Sequence, residues 1–235
     1  MALKPGIHQH RNVQGGWARA AVFGVSDGLV SNVALILGFA GASTDPALVR
    51  VAGVAGLLAG AVSMAAGEYI SIKAQNELVV REIERERQSL IDEPFRETME
   101  LANIYERRGL GPEQARRMAT AVHADPEVAL DVHAREELGV DPGDLARPTI
   151  ASGASLVAFA VGAFLPLIPW LFGGGAPAVI ASIIIGAVAA AAVGWVLASF
   201  TERSKFRTAI RQVLVAAIAC TFTSVVGMML GSNVS

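Results

Sequence analysis

Fifty-four consecutive residues, Pro148 to Thr201, contain no Asp, Glu, Lys or Arg. A soluble domain carries roughly one charged residue in four, so a chain with such a run is built for an apolar surrounding. The run is also too long for one membrane crossing, which takes about 20 mostly apolar residues. Gly173-Gly174-Gly175-Ala176-Pro177 interrupts it with strong turn chemistry, so it reads as two spans, about 149–172 and 177–200. The same criterion finds three more. The first runs from about Trp17 to Ala42, with Arg19 at its start and Asp27 inside; the second from about Leu48 to Ile72, with Glu68 near its end; the last from about Ala209 to Leu230. The expected fold class is an all-α integral membrane protein of five transmembrane helices.

The missing charge is concentrated in one place. Residues 74–147 hold 17 of the 21 acidic and 10 of the 19 basic residues, a formal charge of −7. This predicts a three-helix soluble insert between the second and third spans, and three regions: 1–73, 74–147 and 148–235. One insert helix continues the second span to about Leu90, with opposite charges four apart such as Glu77 and Arg81. A second covers about Pro94 to Arg108 and stops at Gly109. Pro112 suits a first helical position and begins a short helix to about His123. Asp125-Pro126 opens the last helix, which ends near Leu138 before Gly139. No strand alternation appears.

Basic residues favour cytoplasmic loops. Lys4, Arg11 and Arg19 precede or open the first span, and Arg203, Lys205, Arg207 and Arg211 lie between the fourth and fifth. The intervening loops hold only Arg50 or none. This alternation places the N-terminus and the insert in the cytoplasm and the C-terminus outside. The tail before Trp17 has no apolar core and does not read as a cleavable signal peptide. Cys220, the one cysteine, reads as a packing residue in an apolar run.

Asp27 is the first candidate for chemistry, because a mid-span carboxylate costs about 2.5–3.5 kcal/mol on insertion scales and is functional by default. Its structural alternative is a cap or a pairing with Arg19. Met64 and Glu68 are four apart and share a helix face, which suits a divalent transition metal; core packing for Met64 and a membrane-surface position for Glu68 are the alternative. In the insert, Glu82 with Glu86, Glu97 with Glu100, and His133 with Glu137 each share a face. Each pair alone reads as a solvated helix face, but together they form a candidate metal site of oxygen and imidazole donors suited to Fe²⁺, Mn²⁺ or Zn²⁺. The Glu-x-x-His motif of di-iron bundles is absent, since Thr120 and Leu130 stand three before His123 and His133. No nucleotide loop or nucleophile elbow occurs, so no enzyme is expected. The acidic insert opposes nucleic-acid binding.

Several segments together resemble the vacuolar iron transporter family over nearly the whole chain. They are Phe23-Gly24-Val25-Ser26-Asp27-Gly28-Leu29-Val30-Ser31-Asn32, Ser63-Met64-Ala65-Ala66-Gly67-Glu68-Tyr69-Ile70-Ser71, Ile104-Tyr105-Glu106-Arg107-Arg108-Gly109-Leu110, Arg135-Glu136-Glu137-Leu138-Gly139 and Gly162-Ala163-Phe164-Leu165-Pro166-Leu167-Ile168-Pro169. The resemblance implies a homodimer that exchanges Fe²⁺ for protons along a path between the first two spans. It matches Asp27 and Met64 to ion-binding positions, with Glu68 near the cytoplasmic mouth. It also matches Glu86, Glu97, Glu100 and Glu137 to metal-binding glutamates of the insert. Ser89 stands where a further glutamate is expected and His133 where a methionine is expected; Glu82 or Glu93 could supply the missing carboxylate.

The expected function is therefore proton-coupled export of ferrous iron from the cytosol. Iron is the substrate, with Mn²⁺, Zn²⁺ and Co²⁺ as further possible cargo and no prosthetic group. The alternatives are a manganese carrier on the same scaffold and a membrane-anchored metal sensor. A buried intramembrane Asp27 argues against the sensor. Abundant Ala, Gly and Arg with few Lys point to a GC-rich bacterium, and so to the plasma membrane.

Overall fold

The computed structural model describes residues 16–43 and 45–231. The polar tail with Lys4 and Arg11, and the signal-peptide reading attached to it, lie outside the described residues, as do residues 232–235. Among the described residues every regular element is helical: α1 Gly16–Ala42, α2 Pro46–Asp92, α3 Pro94–Arg107, α4 Pro112–Val122, α5 Pro126–Glu136, α6 Pro148–Phe164, a 3₁₀ turn Leu165–Leu167, α7 Ile168–Phe172, α8 Gly175–Thr201 and α9 Lys205–Gly231. Five stretches are long and apolar enough to cross a membrane: Ala18–Ala42, the apolar part of α2, Pro148–Phe172, Gly175–Thr201 and Lys205–Met229. The chain divides into two compact units, one of residues up to Ile70 and from Arg147 onward, the other Ser71–Ala146.

In the membrane unit α1 is the hub, packing most extensively on α6 and also on α9 and α8. Lipid is as apolar as leucine, so helices in it associate through close contact at small residues. The sequence supplies those residues at the crossings. A Cβ on Gly28 would collide with the Phe159 carbonyl, and one on Gly162 with the Val25 carbonyl, so α1 and α6 touch backbone to backbone. Gly227 lies against Gly38 in the same way. By contrast, Gly53, Gly56 and Gly60 of α2 receive side chains: Leu167 with Ile36, Leu35 with Asn32, and Phe159.

The third span is not the single helix expected over 149–172. Pro166 and Pro169 have no N–H to donate, and the chain tightens into a 3₁₀ turn before α7. Backbone carbonyls at a break inside hydrocarbon need new donors. Asn32 Nδ2 donates to the Ala163 carbonyl at 2.7 Å. Ser182 Oγ donates to the Pro166 carbonyl at 2.7 Å and accepts from Trp170 Nε1 at 3.1 Å.

The second unit contains the α2 residues from Ser71 onward and helices α3, α4 and α5; it has four helical segments and not the three expected, because Pro112–Val122 is a helix of its own. No Gly or Pro occurs between Gly67 and Pro94, which is why α2 continues without a turn to Asp92. Leu101, Ala102 and Tyr105 of α3 pack with Ala115 and Ala119 of α4, joined by Leu110, Val122 and Val132. Asp125 caps α5 by accepting from the Glu127 and Val128 amides. Gly109 and Gly139 follow α3 and α5 at φ of 100° and 65°, a region that glycine enters without a Cβ clash. Asn76 Nδ2 donates to the Ala146 carbonyl at 2.7 Å.

Candidate metal sites in the two units

Asp27 is not buried in the single chain. It lies on an exposed stripe of α1 with Arg19, Phe23 and Ser31, four residues apart in turn, and Phe23 is 67% exposed. Helical geometry aligns such positions on one face. The correction to the sequence reading is thus one of direction: Asp27 points away from α6, α8 and α9 because the opposite face, with Gly28 and Leu29, is the one that packs. Ser31 Oγ donates to the Asp27 carbonyl at 2.6 Å. Arg19, the partner considered for Asp27, instead approaches Glu68 at 3.8 Å. Glu68 Oε1 is buried without a hydrogen bond among the described residues. Met64 is half-buried and packs against the Ala61, Phe159 and Ala163 cluster.

The second unit brings four candidate ligands together. Glu86 of α2, Glu97 of α3, His133 of α5 and Glu137 at the end of α5 each offer an atom within 4.8 Å of the others. His133 is fully buried and Glu97 is 2% exposed. The bland reading of His133 as a solvated histidine therefore fails. Its Nδ1 lies 2.9 Å from Glu86 Oε1 and 3.5 Å from Glu137 Oε1. These contacts are near but lack hydrogen-bond alignment, leaving both carboxylate oxygens and both ring nitrogens without a hydrogen-bonding partner. Buried polar atoms in that condition are costly, and a proton or a cation among them removes the cost.

The electrostatics follow from this crowding. Burial, and then the charge of Glu137, push the Glu86 carboxyl above the usual range. For His133, burial alone would lower the ring's pKa; contact with Glu137 and the charges of Glu137, Glu86 and Glu97 outweigh it and raise it. Contact with His133 holds Glu137 below the usual carboxylate range. Glu100 is exposed beside Glu137, whose charge raises it; both residues line a pocket of about 480 Å³ with Ile104, Arg107, Arg108 and Glu136.

Two further candidates are placed elsewhere. Glu82 pairs with Arg85 at 2.7 Å and Glu93 with Arg96 at 2.8 Å. Ser89 and Glu93 line a separate pocket with Arg85 and Arg96. Sequence reasoning missed two neighbours of the cluster. Arg96 donates to Glu97 Oε1 at 2.9 Å and so sets a cation beside three carboxylates. His123 stacks edge-on against His133, with ring centroids 5.1 Å apart and planes at 88°. The available signal was that two of only four histidines fall in this segment. Three carboxylate oxygens and one imidazole nitrogen form a donor set that suits divalent first-row metals.

The profile of the VIT family matches residues 18–228. Vacuolar iron transporter 1 of Eucalyptus grandis is 33% identical over 217 residues, covering 91% of this chain and 87% of that protein. Vacuolar iron transporter 2 of rice is 33% identical over 202 residues, covering 86% and 82%. Vacuolar iron transporter 1 of Arabidopsis thaliana is also 33% identical over 202 residues, covering 86% and 81%.

Proposed function

The chain belongs to the VIT family, and from that premise we propose that it carries ferrous iron out of the cytosol across a membrane in exchange for protons. It works as a carrier and not as an enzyme. The names of its relatives speak for iron over manganese. One observation carries the reading: Asp27 sits within a membrane span and on its outward face. Facing lipid, that carboxylate would cost about 2.5–3.5 kcal/mol. A second copy meeting it along α1 and α2 removes the cost and encloses a polar path. The homodimer is thus part of the proposal, with Asp27, Met64 and Glu68 lining the path.

Coupling follows from competition. A carboxylate that holds a proton cannot hold a divalent ion at the same oxygens, so protons arriving from the far side displace the metal there. The segment 74–147, between the span regions 1–73 and 148–235, captures metal in the cytoplasm through Glu86, Glu97, His133 and Glu137, with Glu100 beside them. Glu82 and Glu93 are held by arginines in the metal-free chain and join only if those pairs open. The basic loop of Arg203, Lys205, Arg207 and Arg211 supports a cytoplasmic insert and an outer C-terminus. In a bacterial host the membrane is the plasma membrane.

The test is Fe²⁺ flux into proteoliposomes with and without an opposing pH gradient. Flux accelerated by the gradient is the expected result. Flux indifferent to it removes proton coupling, and absence of flux from a folded, metal-binding protein removes transport.

A further inference from the structure

The His123 side chain has no role in anything described so far, yet its position is specific. Nδ1 lies 2.9 Å from the Ala119 carbonyl. A carbonyl only accepts, so Nδ1 carries a proton, and in the neutral ring the lone pair is on Nε2. Among the described residues that buried Nε2 has no hydrogen-bond partner. The His133 ring lies edge-on to the His123 ring, with 5.1 Å between centroids. His133 Nε2 is likewise buried with no partner.

A bound cation changes what His133 needs. Its Nδ1 is the nitrogen beside Glu86 and Glu137. A metal taking Nδ1 displaces any proton there, and the neutral ring then keeps its one proton on Nε2. That N–H is in a fully buried residue and needs an acceptor; leaving a buried donor unpaired is expensive. Metal-ligating histidines ordinarily pass their second N–H to such an acceptor, which fixes tautomer and ring orientation.

We propose that His123 is a positioning residue for the metal cluster: its Nε2 lone pair accepts the Nε2–H of metal-bound His133 and fixes Nδ1 toward Glu86 and Glu137. The rings are already neighbours edge-on, and the proposal places the two Nε2 atoms within hydrogen-bond distance in the metal-loaded protein. His123 is not a ligand, and its nitrogen lies outside the group of converging donors. The inference rests on the insert binding metal as proposed above.

The test uses the full-length protein in lipid nanodiscs with Zn²⁺ as a diamagnetic probe. Nitrogen NMR of ¹⁵N-histidine-labelled, Zn²⁺-loaded protein reads the His133 tautomer directly. The expected result is a proton on Nε2 of His133 and a scalar coupling between the two Nε2 nuclei across the hydrogen bond. Calorimetry in an Asp27→Ala background, which removes the path carboxylate, compares two variants. His123→Phe keeps the ring and loses the acceptor, and is expected to weaken Zn²⁺ binding about 10- to 100-fold. His123→Gln retains an acceptor near the Nε2 position and is expected to stay close to the parent. Absence of the coupling in the loaded protein overturns the proposal whether or not the variants fold. Equal losses in Phe and Gln also overturn it, since that pattern is packing alone. Glu97→Ala is the control: if it binds Zn²⁺ as the parent does, the metal site itself is misassigned, a failure distinct from that of His123.

Discussion

In the membrane unit helices meet at backbone: Gly28 against Phe159, Gly162 against Val25, Gly227 against Gly38. In Ser71–Ala146 they meet through side chains, with Leu101, Tyr105, Ala115 and Ala119 forming a small apolar core and charged pairs around it. The two units accordingly treat carboxylates in opposite ways. The membrane unit keeps Asp27 out of its own packing and turns it outward. The Ser71–Ala146 unit buries Glu97 beside fully buried His133 and compensates with Arg96. The difference follows from what each surrounding offers. In lipid there is no water to solvate a charge and little to gain from burying apolar side chains, so close packing decides. In water, burying an apolar core drives folding, and a few charges can be carried inside if counter-charges come with them.

The sharpest separation of the two units is Asp27→Ala. Transport in reconstituted vesicles is expected to fall to background while the protein stays folded and its insert still binds metal. Full Fe²⁺ flux at equal protein density would show that the membrane carboxylate does no work.

Gly162→Leu tests the packing half of the contrast. Its Cβ meets the Val25 backbone, which cannot move aside as a side chain can. Overpacking costs typically about 1–3 kcal/mol and occasionally more, so thermal unfolding in detergent should drop by several degrees or the chain should aggregate. Gly153→Leu on the same helix is the internal control, because no described residue lies within 4 Å of its would-be Cβ. Equal stability of the two variants would contradict backbone contact.

Glu97→Ala combined with Glu100→Ala bears on the soluble half. Metal affinity of the insert is expected to fall by about tenfold or more while flux drops only in part. Unchanged stoichiometry and affinity by calorimetry would mean that the converging carboxylates are a counter-charge network for Arg96 and His133.

The smallest expected effect is one of pH. The folded His133 pKa is raised above the ordinary value of about 6.5. In the metal-free protein its contribution to stability is complete below that ordinary value and is lost as pH rises through the folded one. Metal binding runs the other way, because it needs the deprotonated nitrogen. Affinity should therefore begin to fall above about pH 6.5 as acidity increases, while Glu137, whose pKa is lowered, stays ionised. His133→Met should flatten this profile; parallel curves would assign the pH dependence to the carboxylates.

The five apolar stretches were legible because charge exclusion is a long-range, redundant signal: 54 residues cannot lack charge by accident. The break at Pro166 and Pro169 was not read, although both prolines are in plain view, because its tolerance depends on donors far away in sequence, Asn32 and Ser182. In the insert, i,i+3 and i,i+4 spacing identified which carboxylates share a helix face. It could not say which face turns inward. Glu86 and Glu97 join His133, Glu97 with Arg96 beside it, whereas Glu82 and Glu93 of similar sequence character pair with arginines outside the cluster. For α3 that rotation is settled by the packing of Leu101 and Tyr105 against Ala115 and Ala119. For Asp27 the same ambiguity went the other way: being mid-span suggested being enclosed, and within one chain it is not.

The hub position of α1 has a consequence for biogenesis. Its partners α6, α8 and α9 all lie in the last part of the chain, beyond the 74–147 segment. The ribosome adds roughly 5–20 residues per second, so about 10–30 s separates the emergence of α1 from that of α9. Until α6 follows, α1 is in the membrane with Gly24 and Gly28 uncovered, and Gly38 waits longer, for α9. The first span made is among the last to be housed, and quality control in the membrane has its longest opportunity there. Defects that act during synthesis should therefore cluster on α1 and its late partners, even where the finished protein would tolerate them.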